Sequence, residues 1–258
     1  MIAMPMLEVK KLRKSYFENS HEIKVFENIS FDVEEHEFIC IVGPSGCGKS
    51  TLLRIIAGLE MPTSGKVLFM NKLITEPDPK KLSMIFQTFA LLPWRTVTEN
   101  VELGLQALGI PKEVKEERIN HFIKLTGLEG FADSYPAGLS GGMRQRVGIA
   151  RALAVEPEIL LMDEPFSSLD ALTAQTLRED LLEIWRDPTI PTNTFLMITH
   201  LVEEAVFMAD RVIILSKRPA RVVGDILIPL PRPRTRHERD KEFFDLCDKV
   251  KGLIGVTK

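Results

Sequence analysis

The stretch "EFICIVGPSGCGKSTLLRIIAGL" runs from Glu37 to Leu59, and its reading decides the fold. Its first part is continuously apolar, as a strand covered on both faces of a parallel sheet must be. Its last part repeats apolar residues at helical spacing. Between them "GPSGCGKST" fits G-x-x-x-x-G-K-[ST] in the strand–loop–helix setting that this phosphate loop requires. Backbone N–H groups in such a loop cradle phosphate oxygens, and the helix N-terminus adds its positive end. Gly43, Pro44, Ser45, Gly46, Cys47, Gly48, Lys49, Ser50 and Thr51 are therefore the expected nucleotide-binding residues. Gly46 and Gly48 permit close backbone approach, Lys49 reaches the β- and γ-phosphates, and the Ser50 hydroxyl ligates Mg²⁺.

Working outward, three further apolar runs read as buried strands: "PEILLMD" (157–163), "TFLMIT" (194–199) and "RVIILS" (211–216). Helical patterns such as "MRQRVGIARALA" lie between them, the order of an α/β fold with crossover helices. The N-terminal "LEVKKLRKSY" and "HEIKVFENISFDVEE" alternate instead, and predict an antiparallel part. From about Gln87 to Glu156 strand-like runs vanish and helical stretches dominate: "VTENVELGLQAL", "PKEVKEERINHFIKLTGL" and the helix after Gly142. The expected organisation is a P-loop NTPase core with a mainly parallel sheet (1–87 and 156–258), an N-terminal antiparallel β subdomain and an inserted helical subdomain (88–155). The proline- and arginine-rich tail, "KRPARVVGDILIPLPRPRTRHERD", predicts a short β-ribbon and a linker. A terminal helix, "KEFFDLCDKVKGLI", follows it.

Composition narrows the function. The 258 residues are 45% hydrophobic and 27% charged, and the net charge of −3 lacks the basic excess usual in a nucleic-acid binder. Three cysteines, with no CxxC pair, suggest a reducing compartment and no disulfide or zinc framework. No apolar run approaches the ~18 residues of a membrane helix. The N-terminus has no basic and apolar leader pattern. A cytoplasmic chain is expected, reaching a membrane only through a partner.

A phosphate loop needs a carboxylate to hold its magnesium, usually at the end of a second buried strand. "ILLMDE" supplies Asp163 there, and Glu164 just beyond it is placed to polarise a water for attack on the γ-phosphate. A GTPase would carry Asn-Lys-x-Asp. "NKLI" (71–74) puts Ile74 where the aspartate must be, and it also lies too early in the chain. A second glycine-bearing stretch, "LSGGMRQR", opens another helix, so Ser140, Gly141 and Gly142 could present donors to a phosphate as well. One nucleotide does not need two such sites on one chain.

"LSGGM" after the phosphate loop and before "LLMDEP" resembles the ATP-binding subunit of an ABC transporter, and the similarity covers essentially the whole chain. Tyr16 matches the aromatic that stacks on adenine, and Gln87 the glutamine that joins core to helical insert and senses magnesium. Asp170, in "SSLD", matches the loop crossing to the partner subunit, and His200 the switch histidine at the γ-phosphate. Taken alone, Tyr16 would be an ordinary strand aromatic, His200 a strand-end histidine and Gln87 a surface residue; the ordered set carries the reading. One departure is Leu201, where relatives often carry an acidic residue after the histidine.

The resemblance implies catalysis by Glu164, His200 and Gln87, and a Mg²⁺ held by Ser50, Gln87 and Asp163. It also implies a homodimer in which Ser140–Gly142 close over the ATP of the second copy. Separate integral membrane permease subunits and an extracytoplasmic solute-binding protein would complete a bacterial importer. This chain would then sit peripherally on the cytoplasmic face of the inner membrane, with no nucleic-acid partner. "LLPWRTVTENVELGL" and the tail resemble the nitrate/sulfonate/taurine branch, which includes transporters of thiamine precursors. An exporter subunit and a soluble non-transport ABC ATPase stay open as alternatives. Trp94 reads equally as a docking residue for the permease or as local packing. The stripe Met143, Val147, Ala150, Ala154 is core packing, and Arg144, Arg146 and Arg151 form a solvated or salt-bridged face.

Overall fold

The alternating N-terminal stretch forms two long antiparallel strands, β1 (Leu7–Glu18) and β2 (His21–Val33), in a computed structural model that describes residues 4–19, 21–234 and 240–255. The chain then runs through β3 (Phe38–Val42), α1 (Lys49–Ile56), β4 (Ser64–Phe69), β5 (Lys72–Leu73) and β6 (Leu82–Ile85). Three helices follow, α2 (Val97–Gln106), α3 (Lys112–Leu125) and α4 (Gly141–Ala154), and then β7 (Ile159–Asp163) and α5 (Ala171–Arg186). The last elements are β8 (Thr194–Thr199), α6 (Val202–Met208), β9 (Arg211–Leu215), β10 (Val222–Leu227) and α7 (Lys241–Gly255). Contacts divide the chain into two compact units, Met1–Pro77 with Thr194–Lys258, and Asp78–Asn193.

In the first unit β1 pairs with β2 and β4, and β5 with β4, all antiparallel. A second set of strands, in the order β10–β9–β3–β8, is parallel at β3/β8 and β3/β9 and antiparallel only at its β10 edge. Every residue of β3 and β8 is buried, which is why their sequences show unbroken rather than alternating hydrophobicity. Register matters here: Val42 lies opposite Thr199, so the segments leaving β3 and β8 begin at the same end of the sheet.

In the second unit β6 and β7 pair in parallel, with Ile85 opposite Met162. Strand β6 was not expected. Its sequence, "LSMI", is short and half-buried and carries no long apolar run. Helix α2 starts on a capping box, the Thr96 side chain taking the Glu99 N–H while Glu99 takes that of Thr96. Helix α4 packs on α2, α3 and α5. Val147, Ala150 and Ala154 are fully buried, as the core reading of that stripe requires.

In the tail, the expected ribbon is the antiparallel pairing of β10 with β9. The stretch expected as a linker is packed at its start: Ile228 is 4% and Arg234 7% exposed. The remainder of the linker, 235–239, lies outside the described residues. The terminal helix is α7, which rests on α6, β9 and β10 through Phe243, Cys247 and Val250.

Candidate nucleotide site

The loop between β3 and α1 has the conformation its sequence demands. Gly46 and Gly48 sit at φ 75° and 108°, in backbone regions that L side chains rarely adopt. A β-carbon on Gly48 would meet Val25 Cγ1 at 2.4 Å. The Cys47 N–H donates to the Pro44 carbonyl at 3.2 Å, which tightens the loop. Lys49 is 5% exposed, and its ammonium donates to the Gly43 carbonyl at 2.9 Å and the Pro44 carbonyl at 3.3 Å. A buried cation is thereby held across the mouth of its own loop. No side chain caps α1 and no acid stands in its first turn, so the helix presents its positive end to an anion. Cys47 is buried, and burial pushes its thiol up, away from the reactive thiolate.

Two other expected residues belong to this unit. His200 leaves β8 at the end where Gly43 leaves β3, and its side chain is exposed. Ligands of open parallel sheets bind at the carboxyl ends of strands, which is where both residues lie. The Thr199 hydroxyl accepts the Leu201 N–H at 3.1 Å and shapes the His200 turn. Tyr16 is 41% exposed, with its hydroxyl donating to Glu60 and the Lys14 ammonium 4.9 Å from its ring centroid. Partial burial, followed by the Glu60 bond, raises the phenol above its usual value, so it stays protonated.

The second unit collects the remaining residues at two places. Gln87 follows β6, and Asp163 ends its parallel neighbour β7, so Gln87, Asp163 and Glu164 emerge at one end of the pair. Asp163 is 4% exposed. Glu164 has φ 45°, an uncommon conformation for a side-chain-bearing residue. Its carbonyl accepts from both the N–H and the hydroxyl of Ser167, at 3.2 and 2.9 Å, which holds the turn in place. The strained turn lies directly after the strand end.

The second place joins α4 to α5. Ser140 is the N-cap of α4 and accepts the Met143 N–H at 3.2 Å. Asp170 caps α5 in the same manner, accepting from Thr173 at 3.0 Å, and this bond holds its carboxyl below the usual range. A β-carbon on Gly142 would stand 2.5 Å from Thr173 Cγ2, and one on Gly141 3.4 Å from Leu169 Cδ2. The glycines let the two helix starts touch, so the "SGG" and "SSLD" stretches form one patch.

Two readings of the sequence change. Arg146 pairs with Asp180 as a salt bridge. Arg151, however, is partly buried and donates to the Phe89 and Ala90 carbonyls, so it anchors the segment after Gln87 rather than facing solvent. The helical spacing places it off the core stripe but cannot show that a loop covers that side. Trp94 is 70% exposed, which removes the local-packing alternative.

A phosphate loop on a buried parallel strand, with an acidic strand end in the second unit, defines a P-loop nucleotide hydrolase. Compared with protein families, residues 26–167 match the ABC transporter family. The chain is 48% identical over 248 residues to an uncharacterized ABC transporter ATP-binding protein of Methanocaldococcus jannaschii, covering 96% of this chain and 91% of that protein. It is 42% identical to the nitrate import ATP-binding protein NrtD of Synechocystis, over 96% of this chain and 94% of that one. The bicarbonate transport ATP-binding protein CmpD of the same organism is 45% identical over 93% and 86%. Among solved structures, a dimeric ATP-binding cassette in a post-hydrolysis state with ADP and phosphate superposes with a TM-score of 0.76 at 34% identity, over 88% of this chain and all of that one. The chain belongs to the ABC transporter family and is one of its ATP-binding, ATP-hydrolysing subunits. Among the described residues no helix is long and apolar enough to cross a membrane.

Proposed function

We propose that the chain works as a homodimer in which each ATP lies between the Gly43–Thr51 loop of one copy and Ser140–Gly142 of the other, and that this cycle powers import of a small solute. The observation that carries the reading is the joined patch at the starts of α4 and α5. Its cap bonds are already made within the chain, and its glycines are committed to packing. The likeness to a dimeric cassette supports the same arrangement.

Within each composite site the roles follow from chemistry. Lys49 and the N–H groups of Gly46 to Thr51 hold the phosphates, and Tyr16 offers its ring to the adenine. Glu164 orients the attacking water and accepts its proton, and His200 contacts the γ-phosphate. Ser50, Gln87 and Asp163 would hold a Mg²⁺, which when bound would supply positive charge against the phosphates. One carboxylate, a hydroxyl and an amide suit a cation that takes its other ligands from phosphate and water. Ser140 and the Gly141 and Gly142 N–H groups complete the γ-phosphate's surroundings from the second copy. ATP then favours the closed dimer and hydrolysis releases it, a ligand-biased two-state equilibrium.

Residues 88–155 are read as the helical subdomain that meets a permease, with exposed Trp94 as the contact. That partner would place the chain on the cytoplasmic face of the bacterial cell membrane. The relatives named for nitrate and bicarbonate support a small oxyanion as the solute, delivered by an extracytoplasmic binding protein. Glu164→Gln tests the core of this reading. It should bind ATP, lose about 10²-fold or more in turnover, and run as a dimer on a sizing column with ATP. A monomer with near wild-type turnover would contradict it.

A further inference from the structure

Helix α6 begins two residues after His200 and has only seven residues, far below the roughly 12–15 at which an isolated helix becomes even marginal in water. Its N-cap is Leu201, which supplies no side-chain cap. The start of α6 is held by the Thr199–Leu201 bond and by packing of its buried residues on β3, β8 and α7, with no side-chain cap to add a polar anchor.

The other end provides it. The last four carbonyls of any helix have no partner within the helix. In α6 these are Val206, Phe207, Met208 and Ala209, and two arginines from the tail bind all four. Arg234 Nη1 donates to Val206, Phe207 and Ala209 at 2.9, 3.3 and 2.6 Å, and Arg232 Nη2 donates to Met208 at 2.6 Å. The far side of Arg234 holds the chain leaving β10, through Ile228 at 3.0 Å and Leu230 at 3.1 Å. Arg232 also binds Asp210 Oδ1 at 2.9 and 2.7 Å, and Asp210 Oδ2 accepts the Phe38 N–H at the start of β3. The strand that leads into the phosphate loop and the helix that follows His200 therefore share one anchor.

We propose that Arg234, with Arg232 beside it, is a positioning residue for ATP hydrolysis: by completing the C-terminus of α6 it fixes the turn that carries His200. The inference rests on the reading of His200 as a γ-phosphate contact. Arg234 is buried to 7% exposure, and that burial lowers its pKa to about 10, so a costly cation is kept there against its desolvation. Helix α7 packs on α6 as well, but its ion pair to it, Lys251 to Glu203 at 2.6 Å, is between half-exposed side chains and contributes little. Carbonyl dipoles at a helix C-terminus suit a cation, and the planar guanidinium of Arg234 reaches three of them together with the Ile228 and Leu230 carbonyls, where an ammonium would reach fewer.

The test compares Arg234→Lys, His200→Ala and the double variant in steady-state ATPase assays, with ATP binding measured separately. Arg234→Lys should lower kcat about tenfold and leave KM for ATP within about twofold. In the His200→Ala background it should add nothing. Wild-type kcat in Arg234→Lys while His200→Ala is slow would overturn the proposal and leave the His200 reading intact, as would multiplying effects in the double variant. Full turnover in His200→Ala would remove that reading and the proposal with it. Should Arg234→Lys not fold, Arg232→Gln, which removes the guanidinium bonds to Asp210 and Met208, carries the same comparison and the same results decide it.

Discussion

Two helices of this chain start on glycine-bearing turns, and they use their glycines in opposite ways. At α1 the cap is Gly48 itself, at φ 108° with no side-chain bond to the helix, so the N-terminus is left to a ligand. At α4 the cap is Ser140, already bonded to Met143, and neither Gly141 nor Gly142 has a positive φ. Gly142 is there because Thr173 of α5 leaves no room for a β-carbon. The same residue type thus serves backbone conformation in one place and helix–helix approach in the other. On the proposed reading, a loop that wraps a phosphate differs from a surface that is pressed against one, and that difference would account for two anion-like sites on a chain that holds one nucleotide.

Substitutions at the two glycines can break this contrast. Gly48→Ala should lose about 3 kcal/mol, the sum of a disfavoured backbone and a clash with Val25. Repeating it in a Val25→Ala background should still cost about 1–2 kcal/mol, because strain in the backbone remains. Gly142→Ala should cost about 1–2 kcal/mol through overpacking alone, and a Thr173→Ser background should recover nearly all of it. Urea midpoints of the four variants check both statements. Full rescue of Gly48→Ala, or none of Gly142→Ala, would erase the distinction.

A smaller effect is expected three residues further along α4. Gln145 is fully buried, and neither its amide nitrogen nor its oxygen has a hydrogen-bond partner among the described residues. Gln145→Met keeps the shape and removes two unsatisfied polar atoms, so it should stabilise the protein by about 1 kcal/mol. A fall of the same size in the melting curve would show that the amide has a partner in solution.

The parallel strands were legible because burial on both faces writes an unbroken apolar run, and the phosphate loop because its spacing is rigid. Strand β6 was not, since "LSMI" is half-buried and carries a serine. Arg151 was misread, and Arg232 and Arg234 passed unnoticed in the tail, for one common reason. Sequence patterns treat an arginine as a surface cation, whereas here each binds backbone carbonyls, partners that no side-chain motif can display. Leu201 stood out as a departure, but its consequence, an α6 that begins without a side-chain cap, needed the structure.

The central claim is that Ser140–Gly142 serve the nucleotide of a second copy, and mixing two damaged chains tests it most directly. Both carry Glu164→Gln to arrest turnover; one adds Lys49→Ala and the other Ser140→Arg. With ATP, each alone should sediment as a monomer, because every site in its homodimer is spoiled. Mixed, they share one intact composite site, Lys49 from one chain facing Ser140 from the other, and a heterodimer should form with a single ATP bound. If the mixture stays monomeric under conditions where Glu164→Gln alone dimerises, Ser140 serves its own chain's nucleotide and the account is wrong.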